Sequence, residues 1–198
     1  MTTKLFLIRH GITQWNKERR YCGYRDIALS KEGKNQIIKL RKYIKTIDFD
    51  SIYSSDRLRA LETKSILFGN NKFKIIRDLR EIHFGVLEGL RHEDIIKKYP
   101  KIYTNWLKDP HKGRIPKAEN FPVFKKRIVK AIKKIARLNQ GKTVAIVCHG
   151  GVIGSFIGSV LKSRDFWGHV PKASSLTLVE YKNSKFKIIK FNDTAHLR

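Results

Sequence analysis

Two apolar segments of the sequence each end at a histidine that is followed by glycine. Residues 5–8 lead into Arg9-His10-Gly11, and residues 143–148 lead into His149-Gly150-Gly151. Continuous apolar runs of this length are typical of buried strands in a parallel sheet. Because ligands of open α/β sheets bind beyond the carboxyl ends of the strands, polar residues there can face a substrate. We therefore predict that His10 and His149 lie side by side, with Arg9 next to them.

A second arginine and a carboxylate are predicted to reach the same edge of the sheet. Residues 49–54 predict a second strand, and Ser55-Asp56 is the expected cap of a helix whose first turn contains Arg59. The free amides and positive dipole of a helix start attract anions, and an arginine there strengthens that attraction. Residues 74–76 predict a third short strand, after which Glu81 is expected near the strand ends.

These residue types suit the transfer of a phosphoryl group. A phosphomonoester dianion requires positive charge around its oxygens, a nucleophile in line with the leaving group, and a proton for the leaving oxygen. Arg9 and Arg59 supply the charge and disfavour protonation of a neighbouring imidazole, which can then attack phosphorus. Glu81 can serve as the acid and afterwards as the base. The alternative for Glu81 is a surface carboxylate paired with Arg77 or Arg80.

The elements that would carry these residues alternate between strands and helices. A helix that begins after Ser30, its expected N-cap, has apolar residues at helical spacing, with Gly33 as a mild defect. Prolines punctuate residues 89–122, which form a candidate lid or specificity subdomain. The remaining predicted elements are an amphipathic helix over 124–138, an apolar helix over 151–161 and a closing hairpin of 176–181 with 186–191.

Length and composition narrow the class of protein. The 198 residues show no composition break, so we predict a single domain spanning 1–198. No apolar run reaches the roughly 18 residues that span a bilayer, and no signal segment begins the chain, which predicts a cytoplasmic protein without a membrane partner. Cys22 and Cys148 belong to no close-spaced pattern, so neither a disulfide framework nor a zinc site is expected, and Cys148 is expected to be a buried free thiol.

The formal net charge of +26 is high for a chain of this length. Such a surface attracts phosphates, anionic lipids and nucleic acid. In the helix over 124–138, however, the lysines alternate with apolar residues at helical spacing. We therefore interpret them as the solvated face of that helix rather than as a nucleic-acid-binding patch. An anionic substrate is compatible with either interpretation.

Four motifs, in order along the chain, resemble those of the histidine phosphatase superfamily, whose fold is phosphoglycerate-mutase-like. The resemblance covers nearly the whole sequence. It implies an α/β fold, a three-layer sandwich in which helices flank a mostly parallel central sheet, with a small helical lid insertion at 89–122. The motifs are Arg9-His10-Gly11 with Thr13 and Trp15-Asn16, Ser55-Asp56-Arg57-Leu58-Arg59-Ala60 with Thr63, Leu79-Arg80-Glu81 with Phe84-Gly85 and Glu88-Gly89, and His149-Gly150-Gly151.

The resemblance also implies a role for each matching residue. His10 would be the phosphorylated nucleophile, and Glu81 would protonate the leaving group and then activate water. His149 would be catalytic and would also bind the phosphoryl group. The other implied phosphate-binding residues are Arg9, Arg59 and Asn16. No metal and no other cofactor is implied. Asn16 has the alternative role of stabilising a turn.

Within the family, the sequence resembles the phosphatase branch, and its length and C-terminal residues 192–197 resemble α-ribazole phosphatases. The implied substrate is a small phosphorylated metabolite, possibly α-ribazole 5′-phosphate. The alternatives are a phosphoglycerate mutase, a broad sugar-phosphate or phosphoserine phosphatase, and a basic protein that binds nucleic acid without catalysis. Lys117-Ala118-Glu119 departs from the family's usual Gly-Gly-Glu, which leaves substrate choice open. A homodimer through an exposed edge at 186–191 is a further possibility.

Overall fold

A single six-stranded sheet organises the chain, which the computed structural model describes in full, residues 1–198. The spatial order of the strands is β3-β2-β4-β1-β5-β6. In chain order the strands are β1 (Thr3–Arg9), β2 (Ser51–Ser54), β3 (Lys74–Ile75), β4 (Thr143–Cys148), β5 (Leu176–Lys182) and β6 (Lys185–Asp193).

The register of the central strands brings the two histidines together. β1 and β4 pair in parallel, and Arg9 stands opposite Cys148, so the residue after each strand leaves the sheet at the same level. β2 pairs in parallel with β4 and with β3, whereas β5 is antiparallel to β1 and β6 is antiparallel to β5. The predicted mostly parallel sheet is confirmed.

Helices cover both faces of the sheet, which confirms the three-layer α/β architecture. The helices are α1 (Gln14–Lys17), α2 (Lys31–Tyr43), α3 (Leu58–Phe68), α4 (His92–Lys98), α5 (Pro100–Lys108), α6 (Phe121–Leu138) and α7 (Gly150–Val160). Alternate residues of β1 point to opposite faces: Leu5 and Leu7 join the core beneath α6 and α7, whereas Phe6 and Ile8 join the core beneath α2 and α3. Cys148 is buried as a free thiol, as predicted.

Three local predictions differ from the structure. Arg57, not Ser55-Asp56, is the N-cap of α3, because the chain stays extended for one further residue before the helix begins. The sequence predicts one short helix in the 89–122 segment, around Glu93–Tyr99, whereas the structure has two, α4 and α5; Pro100 occupies the first turn of α5, where a missing amide costs nothing. Gly33 is no defect, because a Cβ there would lie 2.1 Å from the carbonyl oxygen of Ile12.

The solvated face predicted for the basic helix is present on α6. Its core-facing side is buried, and among its cations Lys126, Lys130, Lys133 and Lys134 are exposed. No helix is both long and apolar enough to cross a membrane. The extent of the domain, the function of the 89–122 segment as a lid and the homodimer stay predictions.

Candidate active site

His10 lies directly after β1, and two hydrogen bonds orient its ring. Nδ1 lies 2.8 Å from the carbonyl oxygen of Gly11, and Nε2 accepts a hydrogen bond from Nε of Arg59 at 3.2 Å. Because a carbonyl only accepts, these partners assign the proton to Nδ1 and leave the lone pair on Nε2. Burial lowers the pKa of His10 well below its usual range, and Arg59 and Arg9 lower it further. The ring is therefore a neutral imidazole.

Arg59 lies in the first turn of α3, as predicted, and its side chain is buried. The carbonyl oxygens of Gly23 and Arg25 accept hydrogen bonds from its terminal nitrogens at 2.8 and 2.9 Å. These bonds fix the plane of the guanidinium, and its Nε–H is directed at His10. A phosphoryl oxygen placed at this point would meet a preoriented cationic donor.

His149 stands beside His10, with the two ring centroids 5.2 Å apart in an edge-to-face arrangement. The predicted pairing of the two histidines is therefore present. The Nε2 of His149 lies 2.9 Å from the hydroxyl of Ser55, while its Nδ1 is buried without a partner. Burial lowers the pKa of His149 well below its usual range, and nearby Arg59 contributes to the shift. Like His10, this imidazole is neutral.

Arg9 extends along the other side of the site. One of its terminal nitrogens donates a hydrogen bond to the carbonyl oxygen of Pro171, whereas its Nε is buried without a partner. Buried donors normally have acceptors, so an unpaired one at a site of this kind is open to a ligand oxyanion. Burial lowers the pKa of Arg9 from its usual value, but an arginine side chain keeps its charge in proteins.

Glu81 is buried, so it is not the surface carboxylate that was the alternative interpretation. Its two carboxylate oxygens accept hydrogen bonds from the amides of Gly151 at 2.8 Å and Ile82 at 2.9 Å. Arg80 pairs instead with Asp56, with Nε 2.8 Å from a carboxylate oxygen. Burial raises the pKa of Glu81 above its usual value, against the opposing effect of the two amides. A carboxyl group with a raised pKa suits proton donation near neutral pH.

Asn16 has the turn-stabilising role that the sequence left open as an alternative. Its Oδ1 accepts a hydrogen bond from the amide of Thr13 at 3.0 Å, and the hydroxyl of Thr13 accepts one from the amide of Asn16 at 3.2 Å. This capping box begins α1. Asn16 also lines the cavity described below, and its Nδ2 is the atom left to meet a ligand. Phosphate binding by Asn16 stays a prediction.

A cavity of about 260 Å³ opens onto the cluster. His149 is fully buried next to His10 and is not among the lining residues of the cavity. The aromatic side chains of Trp106, His83 and Tyr24 could have lined this cavity, but Trp106 packs in the core and neither His83 nor Tyr24 is a lining residue. Phe84, which belongs to the third motif, also lines the cavity, and further lining residues that the sequence does not indicate are Arg19, Arg20, Phe166, Trp167 and Val170.

Most of the missed residues had no signal in the sequence. Phe166, Trp167 and Val170 lie in an irregular segment after α7, where no periodicity predicts their orientation. The sequence indicates Ser55 as part of a helix cap and of a family motif, but not as the partner of His149. The clearest sequence signal for a partner of Glu81 was the second glycine after His149, because the amide of Gly151 donates a hydrogen bond to the Glu81 carboxylate. No three His, Cys, Asp or Glu side chains cluster closely enough to hold a metal ion.

Comparison with known proteins identifies relatives that share this fold over nearly its whole length. A curated relative, phosphoserine phosphatase 1 from Hydrogenobacter thermophilus, is 27% identical over 198 residues, which cover 98% of this chain and 94% of the relative. The solved structure of YhfR from Bacillus stearothermophilus is 31% identical, with a TM-score of 0.93 and coverage of 99% of this chain and 100% of that one. An α-ribazole phosphatase structure from Shigella flexneri, 24% identical with a TM-score of 0.87 over 96% of each chain, shares the fold.

The family model that describes the histidine phosphatase superfamily, branch 1, matches residues 5–194. That range contains every residue of the cluster, from Arg9 to His149. The match bears out the resemblance carried by the four sequence motifs. The chain belongs to branch 1 of the histidine phosphatase superfamily.

Proposed function

We propose that this chain is a phosphomonoester hydrolase that works through a phosphohistidine at His10 and needs no metal ion. The observation that carries the proposal is the bond from Arg59 Nε–H to His10 Nε2. It places a cationic phosphate-binding donor directly against the lone pair of a neutral imidazole. The buried carboxyl group of Glu81 lines the same cavity.

In the first step, the Nε2 lone pair of His10 forms a bond to phosphorus while the bond from phosphorus to the leaving oxygen breaks. Glu81 gives its proton to that oxygen, and the alcohol departs. Arg9 and Arg59 stabilise the transferring phosphoryl group, with Asn16 as an additional contact. His149 does not line the cavity and would bind the phosphoryl group from beside His10 through Nδ1, which has no other partner. Because neutral imidazole needs no deprotonation, no separate base is required for this attack.

In the second step, water attacks the phosphohistidine. Glu81, now a carboxylate, takes a proton from the water as its oxygen bonds to phosphorus, and the nitrogen–phosphorus bond breaks. The electron pair returns to Nε2 of His10, Glu81 is again protonated, and inorganic phosphate leaves. The same carboxyl group therefore acts as acid and then as base.

The size of the cavity supports a small phosphorylated metabolite as substrate. At about 260 Å³ it is smaller than the roughly 300–1,000 Å³ of sites that take drug-sized ligands. Phosphoserine is a second candidate substrate beside α-ribazole 5′-phosphate. The relative from Hydrogenobacter thermophilus, which the chain matches over 94% of that relative's length, is a phosphoserine phosphatase. A phosphoglycerate mutase is the alternative that keeps the same first step and returns the phosphoryl group to a substrate hydroxyl.

The test is phosphate release in the presence of a chelator from a panel of α-ribazole phosphate, phosphoglycerates, phosphoserine and sugar phosphates. We expect release by the natural chain, inhibition by vanadate, and no release by His10→Ala. Activity that disappears in chelator and returns with a divalent ion would contradict the metal-independent mechanism. Isomerised phosphoglycerate without released phosphate would favour the mutase, and salt-resistant RNA binding without turnover would favour the binding protein.

A further inference from the structure

Arg127 of α6 differs from the exposed lysines of that helix, because its side chain is bound to neighbouring protein groups. Its Nε and one terminal nitrogen donate to the two carboxylate oxygens of Glu119, at 2.6 and 2.7 Å, and this is the ion pair that α6 forms. Its guanidinium carbon also lies 4.8 Å from the ring centroid of Phe124, one helical turn earlier. The side chains of Arg127 and Glu119 are 16% and 15% exposed, so the pair is largely removed from water.

The remaining donors of Arg127 bind the backbone that leads into Glu81. One terminal nitrogen donates to the carbonyl oxygens of Asp78 at 2.7 Å and Arg80 at 2.8 Å, and the other donates to the carbonyl oxygen of Glu81 itself at 3.1 Å. This backbone leaves a short 3₁₀ turn and joins no strand, so it has no sheet ladder to hold it. The planar five-donor fork of arginine suits such a set of acceptors, whereas a lysine ammonium does not.

Glu81 is therefore held by hydrogen bonds both at its carboxylate and at its backbone. The amides of Gly151 and Ile82 hold its carboxylate, and Arg127 holds its backbone. On the opposite side of the same segment, the side chain of Arg80 is tied to Asp56. The amide of Glu119 additionally donates to the carbonyl oxygen of His83 at 2.9 Å, so the ion pair fastens the end of the 89–122 segment to the same backbone.

We propose that Arg127, oriented by Glu119, is a positioning residue that sets the placement of the Glu81 carboxyl group against the leaving oxygen of the substrate. The proposal rests on the proposed function, in which Glu81 is the proton donor. It also gives Glu119 a purpose in a segment that departs from the family's usual Gly-Gly-Glu. A displacement of about 1 Å at an acid of this kind is enough to slow the reaction about 100-fold.

The test compares two leaving groups, because only a poor leaving group needs the proton. We would measure kcat/KM, which reports the transfer to His10, for an alkyl phosphate taken from the substrate panel and for p-nitrophenyl phosphate. The variants are Arg127→Gln, Arg127→Lys and Glu81→Gln, with Arg137→Gln on the exposed face of α6 as the matched control. Thermal unfolding of each variant is followed in parallel.

We expect Arg127→Gln to lower kcat/KM about 100-fold for the alkyl phosphate and less than about tenfold for p-nitrophenyl phosphate, and we expect the same selectivity from Glu81→Gln. Arg127→Lys should retain part of the kcat/KM that Arg127→Gln loses, and Arg137→Gln should leave kcat/KM unchanged for both substrates. Equal losses for both substrates with Arg127→Gln, or no loss, would overturn the proposal while the proposed function stands. If Glu81→Gln lowers kcat/KM equally for both substrates, Glu81 is not the proton donor, and both the positioning role of Arg127 and the proposed function are overturned. If Arg127→Gln does not fold, Glu119→Gln must show the same selective loss, and equal losses there overturn the proposal.

Discussion

The amide of Gly151 donates a hydrogen bond to the carboxylate of Glu81 at 2.8 Å, which joins the first turn of α7 to the candidate proton donor. The two residues are far apart along the chain, because Glu81 follows β3 and Gly151 follows β4. A helix start favours negative charge, so this bond holds the carboxylate form that the second chemical step requires. Burial acts in the other direction and favours the protonated form that the first step requires.

We expect Gly151→Ala to lower kcat strongly without unfolding the protein. A Cβ at this position would lie 2.3 Å from one carboxylate oxygen of Glu81, a distance that forces the carboxyl group to move. With a displacement near 1 Å, the loss in kcat is about 100-fold. Steady-state kinetics with the preferred phosphomonoester gives the result.

Gly158→Ala is the matched control for that experiment, because Gly158 is a buried glycine of the same helix. A Cβ there would meet its nearest neighbour, an atom of His169, at 3.4 Å, which is an ordinary contact. The control should keep kcat within about twofold of the natural chain, since a new methyl group that meets no clash changes only helix propensity. Unchanged kcat in Gly151→Ala would show that Glu81 is not held as the structure indicates.

Ser55 should matter for stability as well as for the site. Its hydroxyl lies 2.9 Å from Nε2 of His149, and both residues are fully buried. Ser55→Ala leaves that ring nitrogen without a partner, so we expect the free energy of unfolding to fall by about 1–3 kcal/mol. Urea denaturation followed by circular dichroism measures the change.

A second buried serine provides the contrast. Ser155 of α7 is 3% exposed, and its hydroxyl has no hydrogen-bond partner. Its removal costs no hydrogen bond, so Ser155→Ala should leave the free energy of unfolding within about 0.5 kcal/mol or raise it. Equal destabilisation by the two variants would mean that the bond from Ser55 to His149 adds nothing to stability.

The sequence predicted the site where strand ends and motif residues coincide. The apolar runs before His10 and His149 predicted the paired central strands, because their continuity requires burial on both faces of a sheet. Arg59 could be placed because a helix start was recognisable from its polar residues, although the cap itself was one residue further along.

The partners that orient these residues could not be predicted in the same way. The bonds from Arg127 to the carbonyls near Glu81 depend on how α6 packs, and the helical periodicity indicated a role only for the lysines of that helix. Likewise, the wall formed by Phe166 and Trp167 follows from an irregular segment that contacts the cavity through tertiary packing. Local pattern carries no information on such contacts.

Arg19 is expected to favour substrates that carry a negatively charged group in addition to the phosphate. It lines the cavity, its side chain is exposed, and its backbone is left-handed with φ of 54°. Arg19→Asn removes the charge and suits that backbone, since asparagine tolerates positive φ. We expect KM for phosphoserine to rise about fivefold, the upper range for an exposed charge pair, with little change for p-nitrophenyl phosphate.

Lys162→Asn is the matched control for Arg19→Asn. Lys162 has the same φ of 54° and is also exposed, but it does not line the cavity. It should leave KM unchanged for both substrates. A rise in KM for p-nitrophenyl phosphate as large as that for phosphoserine would refute a role for Arg19 in recognising the second charge.

The paired histidines should make the protein less stable in mild acid. Burial lowers the pKa of both His10 and His149 in the folded state, whereas unfolded histidine titrates near 6.5. Above about pH 6.5 both histidines are neutral in the folded and the unfolded chain. As the pH falls below that value, the unfolded chain binds protons that the folded one does not, so the free energy of unfolding decreases until the folded pKa values are reached. Each histidine that stays neutral only in the folded state lowers the free energy of unfolding by about 1.4 kcal/mol per pH unit.

Urea denaturation between pH 8 and pH 5 measures this slope, and His149→Gln isolates one of the two groups. Glutamine can still donate to the hydroxyl of Ser55 but does not titrate, so the variant should lose about 1.4 kcal/mol per pH unit of the slope below pH 6.5. Glu81 acts with the opposite sign, because its pKa is raised in the folded state and its contribution is lost as the pH rises. That contribution is common to both proteins, so the difference between them reports His149. An identical slope in the two proteins would mean that His149 becomes protonated inside the fold as readily as in the unfolded chain.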